Sequence, residues 1–422
     1  MTEETDRSLD RVGSSTTDDL EVSSSAAEGT TMVQDGMEVP TPAPGDDAAV
    51  APSAAEPTRT STALQGGTQS QWRLVYRRFR RHKVAFVSVW VVVAIYFVVA
   101  FAEILAPTTA TAQRPDYTYA PPQQLHIYHE TEGFGLYVND FTVTQNPETF
   151  ANEFEIDEDS YIPVGLFVSG TPYELWGLFD MDLHLIGPED PNQPMFLWGA
   201  DSSGRDLLSR VVYGSRVSLS IGLVGVAVSL ILGVILGGIS GYYGGKPDTL
   251  IQRLIEFLMS IPTMPLWLAL SAAIPATWGP LGRYFAITAI LSVIGWTGMA
   301  REVRGKFLSL REEDFITAAL LDGCSRPRII FRHMVPSFSS HLIASLTMSV
   351  PGMILGETAL SFLGLGLQSP AVSWGVLLQD AQNIRTIETA PWLMLPGLAL
   401  FITVLAMNFV GDGLRDAADP YK

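Results

Sequence analysis

Residues 301–337 read REVRGKFLSLREEDFITAALLDGCSRPRIIFRHMVPS, a basic stretch between long apolar runs. Asp314 to Leu321 carries Phe315, Ala318, Ala319 and Asp322 on one helical face and Ile316, Leu320 and Gly323 on another, which is a helix period. Gly323 is predicted to end that helix. Ser325, with Pro327 just behind it, is predicted to cap a second short helix that Pro336 closes. Helix, glycine, helix makes an L-shaped hook.

The runs around the hook decide the class. A chain of 422 residues with 47% hydrophobic content could be a large soluble domain, but apolar runs of about twenty residues point to a membrane. Six spans are predicted, at about 84–102, 217–239, 250–273, 284–300, 342–363 and 392–409, the third broken by Pro262 and Pro265. Arg73, Arg77, Arg78, Arg80, Arg81 and Lys83 directly precede the first span and hold its N-terminus in the cytoplasm. An even number of spans returns the C-terminus to the same side and puts the basic hook there too. Trp278, Trp374 and Trp392 then fall at the outer surface, where an aromatic belt is expected.

The net charge of −18 is unevenly spread. Residues 1–70 hold 13 acids against 3 bases, and residues 107–200 hold 15 against 1, so the rest of the chain is net basic. Residues 1–70, rich in Ser, Thr, Ala, Pro and acids without apolar period, are expected to form a disordered cytoplasmic tail, with no signal peptide. Residues 71–106 form the basic segment and first span, 107–200 an external loop or subdomain, and 201–422 a core with five further spans. The runs IYHETEGFGLYVNDFTVT and YIPVGLFVSG in the loop alternate as short strands do. His126 and His129 lack a third ligand and read as surface residues, and the lone Cys324 excludes an internal disulfide or multi-cysteine metal site.

Three features concern chemistry. Gly233, Gly237 and Gly241 make a small-residue stripe on which another helix can lie closely. GYYGGKPD resembles a phosphate loop only superficially, since Ser240 and Pro247 stand where that loop needs Gly and Ser or Thr, so this chain is expected to bind no ATP. Glu256 and Glu357 lie in or beside apolar spans, where a carboxylate is costly and therefore points to function or to pairing; Arg253 is placed to neutralise Glu256.

Thr317-Ala318-Ala319, three residues, Gly323, nine residues and then a segment ending in Pro336 resembles the coupling loop of ABC importer permeases, whose pattern begins Glu-Ala-Ala. Thr317 stands where the family has Glu, and Val335 where it usually has Leu. GADSSGRDLLSRVVYGSRVSLSIG, residues 199–222, is similar to a segment of the dipeptide/oligopeptide subfamily of these permeases, with Asp201, Gly204, Arg205, Asp206, Ser209, Arg210, Gly214, Arg216, Ser218 and Leu219 matching and Ala200 replacing Thr. Asp206 and Arg210, four residues apart, are spaced to pair on an interfacial helix, with Gly204 and Gly214 permitting bends around it. GETALSFLGLGLQSPAVSWGVLL and AMNFVGDGLRDAADP also look like this subfamily.

The resemblance implies an all-α polytopic membrane protein with the six-helix fold of type I ABC importer permeases. It implies the C-type permease subunit of a dipeptide/oligopeptide importer, working by alternating access in the cell membrane. Implied partners are a second homologous permease, two cytoplasmic ATPase subunits or domains that bind the ATP and magnesium, and an external solute-binding protein. Lipid surrounds the chain, and no nucleic acid, cofactor or catalytic residue is implied. Relatives of this kind also carry oligosaccharides or nickel, and the substrate stays open among the three. An intramembrane hydrolase built on Glu256, Glu357, His333 or His341 is the rival from another class, but no HExxH or GxSxG motif occurs.

Overall fold

The computed structural model describes residues 71–129, 133–148 and 152–418. The expected disordered tail, 1–70, lies outside the described residues. The amphipathic basic helix Gln71–Arg81 breaks at His82, whose Nδ1 accepts the Ala85 amide and caps the first apolar helix, Lys83–Ala100. Its N-terminal end crosses the last helix, Leu395–Ala418, so closely that a Cβ on Gly413 would lie 2.3 Å from Ala85 Cβ.

The bundle is built around Leu207–Tyr243, a single helix of 37 residues, about 55 Å long at 1.5 Å per residue. The expected surface helix and second span are therefore one rod. Pro280–Leu310 packs along it, Ser339–Phe362 crosses it, and Leu395–Ala418 lies against Ser339–Phe362 and Lys83–Ala100. The glycine stripe sets the first of these contacts, since a Cβ on Gly237 would sit 2.4 Å from the Ala300 carbonyl oxygen. Leu219, Ile221, Leu291, Ile354, Leu360 and Trp374 fill the main core.

Five of the described helices are long and apolar enough to cross a membrane. A sixth crossing exists if Gly245–Ser260 and Thr263–Ala272, bent by 87°, count as one broken span. Pro262 causes the break: the residue before a proline is driven out of the helical region, and Ile261 is extended at ψ 128°.

Between the first helix and the long one, four strands form an antiparallel meander: β1 (Leu125–His129), β2 (Gly133–Gln145), β3 (Asn152–Leu175) and β4 (Phe179–Pro188). The first alternating run of the sequence divides between β1 and β2, the second is only the middle of β3, and β4 carried no signal. The 24 residues of β3 span the whole sheet, pairing with β2 in their first half and β4 in their second, with register shifts that bend the strand. Val138, Ile162 and Val164 pack on Met195, while Phe141 packs with Ala120, Phe196 and Ala200. The buried His184 ring of β4 lies between the carbonyl oxygens of Ala106 and Thr171, at 2.6 and 3.0 Å, which ties the sheet to the end of the first span, and Trp392 Nε1 donates at 3.0 Å to the carbonyl of Ala200, in the segment between the sheet and the long helix.

Candidate functional site

The hook leaves the bundle at the end of Pro280–Leu310. Helix Asp314–Leu321 closes with Gly323 at φ +75°, the Gly323 amide bonding the Leu320 carbonyl and the Cys324 amide the Ala319 carbonyl. This pairing satisfies carbonyls that a helix end otherwise leaves open and demands the left-handed residue that glycine supplies. After extended Ser325 the chain is helical again from Arg326 to Ser337, with a wide-turn segment over Ile329–Met334.

Three expectations about this stretch need correction. Ser325 makes no side-chain cap, its carbonyl instead accepting the Ile329 amide. Pro336 sits inside the last helical turn, and the path breaks at Phe338. Ala318 and Ala319 do not share a face: Ile316 and Ala319 are buried against Phe307, Ile329 and Met334, whereas Phe315, Thr317, Ala318, Leu320 and Leu321 are exposed. The inward face of an eight-residue helix is a narrow stripe, and the core selected its branched residue and the alanine one turn on. A second fastening comes from Arg326, whose guanidinium lies 5.5 Å over the Tyr243 ring at the end of the long helix.

The motif of residues 199–222 lies at the opposite end of the long helix. Asp201 is fully buried and organises its own loop: Oδ1 accepts the amides of Ser203 and Arg205, at 2.8 and 3.0 Å, and Oδ2 takes Arg205 Nε at 2.8 Å and Arg210 Nη1. The expected Asp206–Arg210 pair is absent. Asp206 caps the long helix, accepting the Ser209 amide at 2.7 Å and its hydroxyl at 2.5 Å, while its other carboxyl oxygen is buried without a partner. Burial pushes the Asp206 carboxyl up to about 6, against the bonds from Ser209. An N-cap side chain points back along the helix end, so it cannot also meet a residue on the turn above. Gly204, at φ +67°, makes the expected bend, and a Cβ there would fall 1.9 Å from the Arg114 carbonyl oxygen. Gly214 does not bend the helix; it admits the Ser373 backbone, 3.3 Å from a built Cβ. Arg216 clasps Glu103 through two nitrogens, at 2.5 and 2.7 Å, and donates to the Val99 carbonyl, fastening the first helix to the long one. Burial alone would raise the Glu103 carboxyl, but Arg216 holds it below the usual range.

The two intramembrane carboxylates separate. Glu256 is exposed and paired with Arg253 at 2.7 Å, as its spacing suggested. Glu357 is fully buried and, among the described residues, forms no ion pair; the hydroxyls of Ser218, Ser361 and Ser373 donate to it at 3.0, 2.8 and 2.7 Å. Each serine oxygen in turn accepts a backbone amide, from Trp374, Leu367 and Val376 respectively, so one carboxylate ties together the long helix, Ser339–Phe362 and the loop that follows it. Trp374 belongs to this junction, buried with Nε1 on the Val211 carbonyl, and so does not join a surface belt; Trp278 is half exposed.

Two features escaped sequence reasoning because they join residues far apart in the chain. His341 Nε2 and Ser345 Oγ both meet Glu302, at 2.7 and 2.5 Å. A cavity of about 210 Å³ opens between Leu207–Tyr243, Thr263–Ala272, Pro280–Leu310 and Ser339–Phe362, and the Ser229 hydroxyl and Trp267 indole nitrogen among its lining are buried without partners. Among the described residues, no group of three His, Cys, Asp or Glu could hold a metal. His341 is paired with Glu302, Glu357 is held by three serine hydroxyls, and Glu256 is exposed beside Arg253.

The family model described as binding-protein-dependent transport system inner membrane component matches residues 231–421, and that of the N-terminal TM domain of oligopeptide transport permease C matches residues 70–122. The oligopeptide transport system permease protein OppC of Haemophilus influenzae is 40% identical over 242 residues, covering 57% of this chain and 75% of that one. The dipeptide transport system permease protein DppC of Alkalihalophilus pseudofirmus is 42% identical, covering 53% and 71%, and the OppC of Escherichia coli 43% identical, covering 57% and 78%.

Proposed function

From the premise that this chain belongs to the oligopeptide and dipeptide permeases of binding-protein-dependent importers, we propose that it forms one half of the pathway for di- and oligopeptides. It is a transport subunit, not an enzyme. It lies in the cell membrane with six spans, the bent pair being the third, and with both termini and the hook in the cytoplasm. The sheet faces outward, where an external solute-binding protein delivers the peptide. A second homologous permease completes the pathway, and two cytoplasmic ATPase subunits bind ATP and magnesium.

The observation that carries this reading is the two-faced hook. Ile316 and Ala319 pack its inner face into the cluster of Phe307, at the end of Pro280–Leu310, and Ile329 and Met334 of the hook itself, while Phe315, Thr317, Ala318, Leu320 and Leu321 point away from the protein. An apolar surface held out on a rigid arm is suited to seat in a partner's cleft and to carry that partner's motion into the spans. ATP-driven closure of the ATPase pair pulls the two hooks together and opens the spans outward, and hydrolysis resets them. Copurification of the ATPase with this chain tests the reading. Phe315→Asp should keep normal membrane levels and lose both copurified ATPase and peptide uptake; a variant that binds and transports like the parent would sink it.

A further inference from the structure

The turn between β3 and β4 rests on the end of the first apolar helix. The indole nitrogen of Trp176 donates to the Ala100 carbonyl at 2.6 Å, one of the carbonyls left open where Lys83–Ala100 stops. The Trp176 ring packs on Phe101, with centroids 5.9 Å apart, and Phe101 packs on Phe97 at 4.8 Å. An unbroken aromatic row therefore runs from the sheet onto the helix. Phe97 is 56% exposed, and of the 18 residues of Lys83–Ala100 only Ala85 and Ser88 are buried, which leaves the highly apolar surface of a helix solvated by lipid.

Three further observations concern the turn itself. Trp176 and Gly177 both take positive φ, 55° and 68°, and the Leu178 amide closes the turn on the Leu175 carbonyl. A tryptophan seldom accepts that region, because its Cβ crowds the backbone, and here the bond to Ala100 holds it. Leu178 and Phe179 are 74% and 57% exposed at the tip, an arrangement unfavourable in water. Directly behind them Glu174 and Asp180, partners in the sheet register, are both exposed.

We propose that the β3–β4 turn, Trp176 to Phe179, inserts into the lipid at the outer end of the first span and fixes the sheet to the membrane surface. The occupant is the boundary between acyl chains and headgroups: the tip continues a surface that lipid already covers, and tryptophan is at home at that depth, with its ring in apolar surroundings and its N–H bonded. Glu174 and Asp180 limit the depth, because a carboxylate is costly to carry past the headgroups. The same pair disfavours anionic headgroups, so the insertion is driven by apolar area.

Spin labels read this directly. On a Cys324→Ser background, which removes the native cysteine, Leu178→Cys and Phe179→Cys are labelled with a nitroxide and reconstituted in vesicles of zwitterionic phospholipid. Phe97→Cys serves as the lipid reference and Thr144→Cys, exposed on β2, as the water reference. Both tip labels should relax with oxygen over a water-soluble nickel chelate at a ratio several-fold above Thr144→Cys and close to Phe97→Cys. The proposal fails if either label matches Thr144→Cys, which places the tip in water, or is shielded from both agents, which means that protein covers it.

Discussion

Arg210 reaches back nine positions to the buried carboxylate of Asp201 and leaves Asp206, one helical turn away, to cap the helix that both arginine and cap begin. The two acids, alike in the sequence, therefore carry different loads. Asp201→Ala strands two guanidinium groups, one of them 2% exposed, and removing one partner of a buried pair costs about 3–5 kcal/mol. Asp206→Ala loses a cap, at about 1 kcal/mol. Thermal unfolding in detergent should rank Asp201→Ala well below Asp206→Ala; equal losses, or the reverse order, would refute the assignment.

Asp206 also predicts a pH dependence. Its carboxyl sits at about 6 in the fold against an ordinary 3.8, so between these values the folded chain holds a proton that the unfolded chain has lost. The contribution is fully present below about 4 and falls away as pH rises through about 6. Asp206→Asn keeps a capping oxygen without a charge, and the difference in melting temperature between variant and parent should grow in the variant's favour across that window. A difference independent of pH would contradict the buried, ionisable cap.

Glu357 is an acceptor for three hydroxyls and forms no ion pair among the described residues. Glu357→Gln retains one carbonyl oxygen and the shape, and only Ser218 must reorient, whereas Glu357→Leu strands all three serines at about 1–3 kcal/mol for each buried group left unsatisfied. Unfolding should therefore show a small loss for glutamine and a large one for leucine. Should glutamine abolish uptake while stability holds, Glu357 would have a role in transport beyond joining helices.

Two left-handed glycines respond differently to the same change. At Gly323 a Cβ meets nothing within 4 Å, so Gly323→Ala costs only its backbone conformation, about 1–2 kcal/mol. At Gly204 the same atom would lie 1.9 Å from the Arg114 carbonyl oxygen, so the loop must move. Gly323→Ala should reach the membrane at parental levels, and Gly204→Ala should not; similar levels for both would show that the loop yields freely.

The arginines before the first span predict the topology. In intact cells an impermeant maleimide should label Thr144→Cys on β2, whereas native Cys324 in the hook should react only after permeabilisation. The inverse pattern overturns the orientation proposed above.

The resemblance to the permease family rests on local spacings. The hook's Thr317-Ala318-Ala319 and Gly323 lie in one short helix and its cap, and the ten matched positions from Asp201 to Leu219 in one loop and the first turns of the long helix, where sequence distance nearly equals spatial distance. Apolar run length predicted the membrane helices for a related reason: a chain in lipid must satisfy its own backbone, which leaves a long apolar run little choice but a helix. The break at Pro262 was legible too, because proline restricts its neighbour, but Pro265, expected to break the span as well, sits in the first turn of Thr263–Ala272, where a proline is tolerated.

What tertiary structure decided was choice among competing partners. Nothing in the spacing separates Asp201 from Asp206 as the mate of Arg210, since an i,i+4 pair and a loop closing back on itself are both within a guanidinium's reach; the cap geometry of Asp206 settles it. The face of the hook turned inward depended on what lay beneath, and Phe307 took Ile316 and Ala319. The bond of Ser218 to Glu357, that of Trp374 to the Val211 carbonyl, and the contact of Trp176 with Ala100 join residues 76 to 163 positions apart. Local propensity dictates elements because its causes lie within a few residues, whereas the burial of a charge or a ring is satisfied by whichever distant group the fold brings beside it.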